Sequence, residues 1–213
     1  PGRRRTNLSM VGDEPVKTPA GNSDQTVVGQ PRSVDVILWL AVAAFGSMIL
    51  LAATNQMCQA IAVVPVLCVL PLALYLITFI ICFERPSWYV RSWFSMLLIV
   101  AVFAQYLLLL RKDDLGLLLQ IAVFSLGIFS CCMSCHGELV RLRPHPRYLT
   151  LFYLMVSVGG ACGGVFVTVI APWIFDDFWE FDIGLIGCCV LISFCAGRDV
   201  LGKMHTTGLP RWE

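Results

Sequence analysis

The chain has 213 residues, of which 58% are hydrophobic and 14% are charged, and its formal net charge is +1. Soluble domains are about 45–50% apolar and about 25% charged, whereas residues 36–83 contain no Asp, Glu, Lys or Arg. Helices of soluble proteins need a polar outer face. The composition therefore excludes a soluble enzyme, a nucleic-acid-binding domain and a disordered chain. We expect an all-α, polytopic integral membrane protein whose main partner is the lipid bilayer.

The first 33 residues are polar, rich in Gly, Pro, Ser and Thr, and have no apolar periodicity. This pattern predicts a disordered tail. A signal peptide does not fit, because the polar segment before the first apolar stretch is too long and that stretch is itself too long. We place a tail at 1–33, a transmembrane domain at 34–197 and a second short tail at 198–213.

Six membrane spans are predicted between the two tails. A bilayer core of about 30 Å needs about 20 helical residues. The first uncharged stretch is long enough for two spans and divides at TNQMCQ, residues 54–59. The predicted spans are 35–54, 62–82, 92–110, 115–135, 148–172 and 181–197.

The basic residues predict an orientation for these spans. With both termini in the cytoplasm, 13 of the 15 Lys and Arg residues lie on the inner side, and only Arg111 and Lys112 lie outside. This is a strong positive-inside bias. Deleting one span would break the alternation, so the bias also supports the count of six. We therefore expect a multi-pass protein of the bacterial inner membrane with both termini cytoplasmic.

The ten cysteines lie mostly inside apolar runs, where a thiol packs as a small apolar group. We expect no disulfide, no redox centre, no metal and no cofactor. Residues 132–136, CMSCH, match the C-x-x-C-H pattern of haem attachment, but the charge bias puts them at the cytoplasmic end of a span. Zinc would need His145 as a fourth ligand, and His145 is flanked by the prolines Pro144 and Pro146.

The fifth predicted span contains VGGACGGVF, residues 158–166. A nucleotide-binding loop is excluded because no βαβ unit surrounds it. Two overlapping G-x-x-x-G pairs predict a helix face that another helix approaches closely, and we expect the fourth span as that neighbour. A kink or a pore-lining point is the alternative. The four residues are Gly159, Gly160, Gly163 and Gly164.

Three groups of polar residues are candidates for function. Polar groups beside a proline-interrupted helix can line a transport site, although a short outer turn also explains the residues Asn55, Gln56 and Gln59. The inner segment can dock a cytoplasmic domain or a lipid head group through His136, Glu138 and Arg141. The last outer segment can attract a cation such as a polyamine through Asp176, Asp177, Glu180 and Asp182.

Three phrases carry a family resemblance: TNQMCQ, LPLALYL and CHGEL followed by RP and GG-x-x-GG. Over roughly residues 37–197 the chain resembles bacterial membrane proteins of the fused transporter-like/spermidine synthase family. The resemblance implies a membrane half that precedes a Rossmann-type aminopropyltransferase domain. Only 16 residues follow Gly197, so we expect a truncated or excerpted membrane half with no catalytic residue of that domain.

Two hypotheses for function follow. The first is a non-catalytic membrane module that anchors or scaffolds a spermidine-synthase-like domain or subunit. The second is a transporter or half-transporter of a small cation such as a polyamine. The lack of ionisable residues at the centre of any span favours the first. A water-accessible cavity that reaches Asn55, Gln59 or the outer acidic residues would favour the second.

Overall fold

A computed structural model describes residues 31–61, 65–111, 116–174 and 179–207. Side-chain surroundings are described for 31–58, 67–111, 116–174 and 179–201. Most of the predicted N-terminal tail, residues 1–30, lies outside the described part of the chain, as do Asp176 and Asp177 of the predicted acidic group.

Six long helices form the described structure, and no strand is present among the described residues. They are α1 (Ser33–Asn55, extended by a π-helical turn Gln56–Ile61), α2 (Pro65–Glu84), α3 (Arg91–Leu110), α4 (Leu117–Arg141), α5 (Leu149–Val165, extended by a π-helical turn Phe166–Ile170 and a last turn Ala171–Ile174) and α6 (Glu180–Thr207). Short 3₁₀ turns at Pro86–Trp88 and Pro146–Tyr148 precede α3 and α5.

All six helices are long and apolar enough to cross a membrane. Inside a bilayer each backbone N–H and C=O must be satisfied within the helix, which explains why the apolar stretches are helical. Large apolar side chains cover the outer surface, including Leu72, Ile99, Phe103, Val169 and Ile186. The expected all-α, polytopic membrane protein is therefore confirmed, with lipid-facing helices.

Helices α1 and α4 form the centre of the bundle. In each of them 44% of the most apolar stretch is buried, compared with 17–28% in the other four helices. Helix α1 packs against α2, α4, α5 and α6, and α3 packs against α4 and α6. The largest fully buried side chains include Trp39, Ile49, Leu98, Phe152 and Phe181.

The glycine strip of α5 packs against α1. A Cβ atom at Gly159 would collide with the carbonyl oxygen of Leu40, and one at Gly163 with that of Ala44. The expected close helix approach is therefore present, but the expectation that α4 is the neighbour is wrong. Small side chains in α1 allow the contact.

The four glycines of the strip are not equivalent. A Cβ at Gly160 would lie 3.1 Å from Ser47 Oγ, and one at Gly164 would lie 3.5 Å from Leu51 Cδ1. Both meet side-chain atoms, whereas Gly159 and Gly163 meet backbone. Closest approach therefore depends on Gly159 and Gly163. The contacts advance together along both helices, so α1 and α5 run parallel, as alternating crossings require.

Helices α4 and α6 extend beyond their predicted ends at residues 135 and 197, to Arg141 and Thr207. Hydropathy ends a span where charges begin, but here charged side chains of one helix pair with those of another. Arg198 donates to Asp35 at 2.6 Å, which ties the end of α6 to the start of α1. Trp39 Nε1 also donates to the Leu142 carbonyl at 2.9 Å. Thus the start of α1 and the ends of α4 and α6 share one end of the bundle.

The polar segment TNQMCQ lies at the opposite end of α1 and is helical in the structure, not a loop. Gln56 is buried, Asn55 is half-buried, and the side chain of Gln59 lies outside the described part. Cys58 forms a disulfide with Cys68, ten residues later in α2, with the two Cα atoms 5.4 Å apart. The prediction of no disulfide is wrong, because the packing of α1 against α2 brings Cys58 next to a cysteine that lies inside an apolar run.

Candidate functional site

The second half of α4 is enclosed on every side. All residues from Ser130 to Leu139 are buried, although a helix at the surface of a bundle normally keeps one face outward. This stretch includes His136 and Glu138, two of the predicted docking residues. Their burial removes them from the surface that a partner would contact. Of the three, Arg141 is the exposed one.

Glu138 has no solvent-exposed side-chain surface and accepts three hydrogen bonds. Tyr89 Oη donates to its Oε1 at 2.9 Å. Arg91 Nε donates to the same oxygen at 2.6 Å, and Arg91 Nη2 donates to Oε2. A bidentate guanidinium–carboxylate pair is among the strongest hydrogen-bonded ion pairs in proteins. This pairing compensates the desolvation of the buried carboxylate.

The ion pairs continue from α3 and α4 to α6. Arg91 Nη1 donates to Asp199 Oδ2 at 2.7 Å, and Arg141 Nη2 donates to the same oxygen at 3.3 Å. We call Tyr89, Arg91, Glu138, Arg141 and Asp199 the charge cluster. It contains two positive and two negative groups, so its formal charges cancel. It joins three helices at one end of the bundle.

Tyr89 completes the charge cluster as a neutral donor. The pKa of Tyr89 is raised by burial and, to a smaller extent, by the nearby negative charge of Glu138. The phenol therefore stays protonated and donates a hydrogen bond to Glu138. The ring lies flat on Gly137, where a Cβ atom would collide with it. The neighbouring aromatic residues Trp88 and Trp93 are exposed, but Tyr89 is buried.

His136 lies on the α2 side of α4. Thr78 Oγ1 donates its single proton to the Tyr75 carbonyl at 2.8 Å, so His136 Nδ1, 3.1 Å from Thr78 Oγ1, must be the donor in that contact. Tyr75 and Phe79 pack edge-on against the imidazole. Its Nε2 is buried and has no hydrogen-bond partner among the described residues.

Three thiols meet between α4 and α6. The sulfur atoms of Cys131, Cys135 and Cys188 all lie within 4.8 Å of one another, and those of Cys135 and Cys188 are 3.5 Å apart. We call these three residues the sulfur cluster. Of the C-x-x-C-H pattern, Cys135 belongs to it, and Cys132, which is also enclosed by protein, does not.

The predicted acidic outer group is only partly described. Glu180 is buried, and both Glu180 and Asp182 lie in the first turn of α6. Asp182 and Gln105 of α3 line the same groove. This groove lies between α3 and α6 and has a volume of about 550 Å³. Most of its other lining side chains are apolar or aromatic, such as Tyr106, Trp179 and Ile186.

Sequence reasoning missed Arg91, Asp199 and Cys188, which complete the two clusters. It also missed Thr78, the partner of His136. Opposite charges at the ends of predicted neighbouring spans are a usable signal for Arg91 with Glu138. No comparable sequence signal connects Cys188 to the cysteines of α4, because the contact depends on how α4 and α6 are rotated.

The fold defines the class of protein, an all-α polytopic membrane protein whose charged side chains gather at the helix ends. Comparisons with protein-family models, with curated proteins and with solved structures found no match.

Proposed function

We propose that the chain is a non-catalytic membrane module that anchors or scaffolds a spermidine-synthase-like domain or subunit. The charge cluster is the observation that carries the proposal. Its least exposed charged groups, Arg91 and Glu138, are occupied by each other, and a charge that is fully paired is not poised to transfer protons or to bind a substrate. The ion pairs hold α3, α4 and α6 in fixed positions relative to one another, as a rigid anchor for a partner requires.

The orientation is part of the proposal: both termini in the cytoplasm of a bacterium and the charge cluster at the inner face. The bias of Lys and Arg supports it. The disulfide Cys58–Cys68 supports it independently, because it lies at the end of the bundle away from the charge cluster, and disulfides persist in oxidising compartments such as the periplasm.

The surface for a partner is the segment that follows α4. Arg141, Arg143 and Arg147 are exposed there and lie at the same end as the charge cluster. Exposed guanidinium groups in one short segment attract an acidic protein surface or anionic lipid heads. The family resemblance supports a synthase-like protein as the occupant of this surface.

The test uses the full chain in nanodiscs and the purified spermidine-synthase-like protein of the same host. We expect saturable binding at low salt, and at least about tenfold weaker binding when Arg141, Arg143 and Arg147 are all changed to Gln. Arg111→Gln, at the opposite end of the bundle, is the matched control and should bind as the wild type does. Absence of wild-type binding would overturn the anchoring role, and putrescine turnover by the chain alone would overturn the non-catalytic one.

A second candidate is transport of a small cation such as a polyamine. The groove between α3 and α6 favours it, because an acidic side chain, Asp182, and the amide Gln105 lie in a wall that is otherwise mostly apolar. Uptake of labelled putrescine into proteoliposomes tests this candidate. A transporter predicts uptake that Asp182→Asn abolishes and Glu84→Gln leaves unchanged, whereas a pure anchor predicts uptake no faster than into empty liposomes.

A further inference from the structure

We propose that Cys131, Cys135 and Cys188 form a three-sulfur binding site for a soft monovalent metal ion, Cu(I). The proposal rests on the sulfur cluster alone and is independent of the anchoring role. If these cysteines served only as small apolar residues, their three thiols would not need to face one another.

The local geometry follows from the two helices. Cys131 and Cys135 are four residues apart and therefore share one face of α4. That face meets α6, where Cys188 closes the triangle. All three side chains are buried, at 0–1% exposure, so the sulfur atoms point into the interface between the helices and not toward lipid.

The separations suit a single bound ion. Three sulfur atoms around a central metal, each at about 2.3 Å, would lie about 4.0 Å apart. The sulfur atoms of Cys135 and Cys188 are 3.5 Å apart, and all three separations are at most 4.8 Å. The three sulfurs are therefore already close to the spacing that one bound ion requires.

The ligand set selects the type of metal. Thiolates favour soft ions such as Cu(I) and Zn²⁺, and structural zinc takes four protein ligands. In the described part of the chain the group of potential ligands contains these three cysteines and no His, Asp or Glu. Cu(I) is satisfied by two or three sulfur ligands, so it fits a site that offers three.

The binding step balances in charge and in protons. Three neutral thiols and Cu⁺ give a neutral complex of one thiolate, two thiols and the metal, and release one proton. No oxidant or reductant is needed if copper is supplied as Cu(I). Because burial penalises charge, this neutral complex is preferred over those that release two or three protons.

The experiment titrates the reduced, full-length protein in detergent with Cu(I) under anaerobic conditions, with bicinchoninate as competing chelator. We expect one Cu(I) per chain and a rise in the melting temperature as copper binds. Cys135→Ser and Cys188→Ser should each weaken binding by at least about tenfold and lose the thermal shift.

Cys195→Ser is the matched control, since Cys195 is buried in the same helix, α6, outside the sulfur cluster. It should bind copper as the wild type does. Equal loss of copper in the Cys195 and Cys188 variants, or copper bound by the Cys135→Ser, Cys188→Ser double variant as tightly as by the wild type, would overturn the site. Tighter binding of Zn²⁺ than of Cu(I), measured with a zinc chelator, would overturn the assignment of the metal.

Discussion

The contact between α1 and α5 and the charge cluster join helices by opposite means. At α1 and α5, glycines remove side chains so that two backbones touch, and dispersion with weak Cα–H hydrogen bonds holds them. At the charge cluster, side chains with full charges are buried and must neutralise one another. Adding a side-chain atom to a glycine should therefore destabilise the first contact, whereas removing a charged partner should destabilise the second.

Removal of Arg91 should have the largest effect on stability. Arg91→Leu leaves the carboxylate of Glu138 buried and without its cation, and breaking a buried ion pair on one side costs about 3–5 kcal/mol. The measurement is the free energy of unfolding in mixed micelles. The double variant Arg91→Leu, Glu138→Leu should recover most of the lost unfolding free energy. A double variant as unstable as the single one would show that the loss does not come from the unpaired carboxylate of Glu138.

The hydroxyl of Tyr89 should contribute less. Tyr89→Phe keeps the ring on Gly137 but removes one hydrogen bond to a charged acceptor, which is worth about 1.5–3 kcal/mol. Because the pKa of Tyr89 is raised, the phenol of the wild type stays protonated through neutral pH, so the difference from Phe should be constant between pH 6 and pH 8. A difference that changes across this range would contradict the assigned donor role.

A methyl group in the glycine strip should have a smaller effect again. Gly163→Ala places a Cβ against the Ala44 carbonyl; overpacking costs about 1–3 kcal/mol, and the helix propensity of alanine returns about 1 kcal/mol. Gly164→Ala is the matched control, since its Cβ meets Leu51 at an ordinary 3.5 Å, and it should be neutral or slightly stabilising. If both variants melt alike, close backbone contact is not what the strip provides.

The smallest effect is expected at the exposed edge of the charge cluster. Arg141 and Asp199 are both about half exposed, and exposed ion pairs contribute about 0–1 kcal/mol. Arg141→Gln should therefore leave the unfolding free energy nearly unchanged, including at high salt. A loss near that of Arg91→Leu would mean that Arg141 is part of the buried network.

Hydropathy and the charge bias were sufficient to predict six spans, and the G-x-x-x-G spacing was sufficient to predict a close helix contact. The ends of α4 and α6 were misplaced because hydropathy ends a span at the first charged residues, whereas Glu138 and Asp199 lie within the helices and both pair with Arg91. The neighbour of the glycine strip was misassigned because a strip of small residues fixes distance but not partner.

Glu138 and His136 were recognised as unusual, but as surface residues. Their burial depends on α2, α3 and α6 closing around α4, a tertiary property that the local sequence of α4 does not encode. The sulfur cluster depends even more on tertiary packing, because Cys188 comes from α6, more than fifty residues after Cys135 in the chain.

Site-resolved labelling of intact cells with a membrane-impermeant maleimide tests the membrane arrangement most directly. We expect a cysteine placed at Arg111 to be labelled from outside, and one placed at Arg143 to be labelled only after the cells are permeabilised. Native Cys58 and Cys68 should become labelled from outside only after reduction of their disulfide. Labelling of position 143 in intact cells would contradict both the orientation and the placement of the charge cluster at the cytoplasmic face.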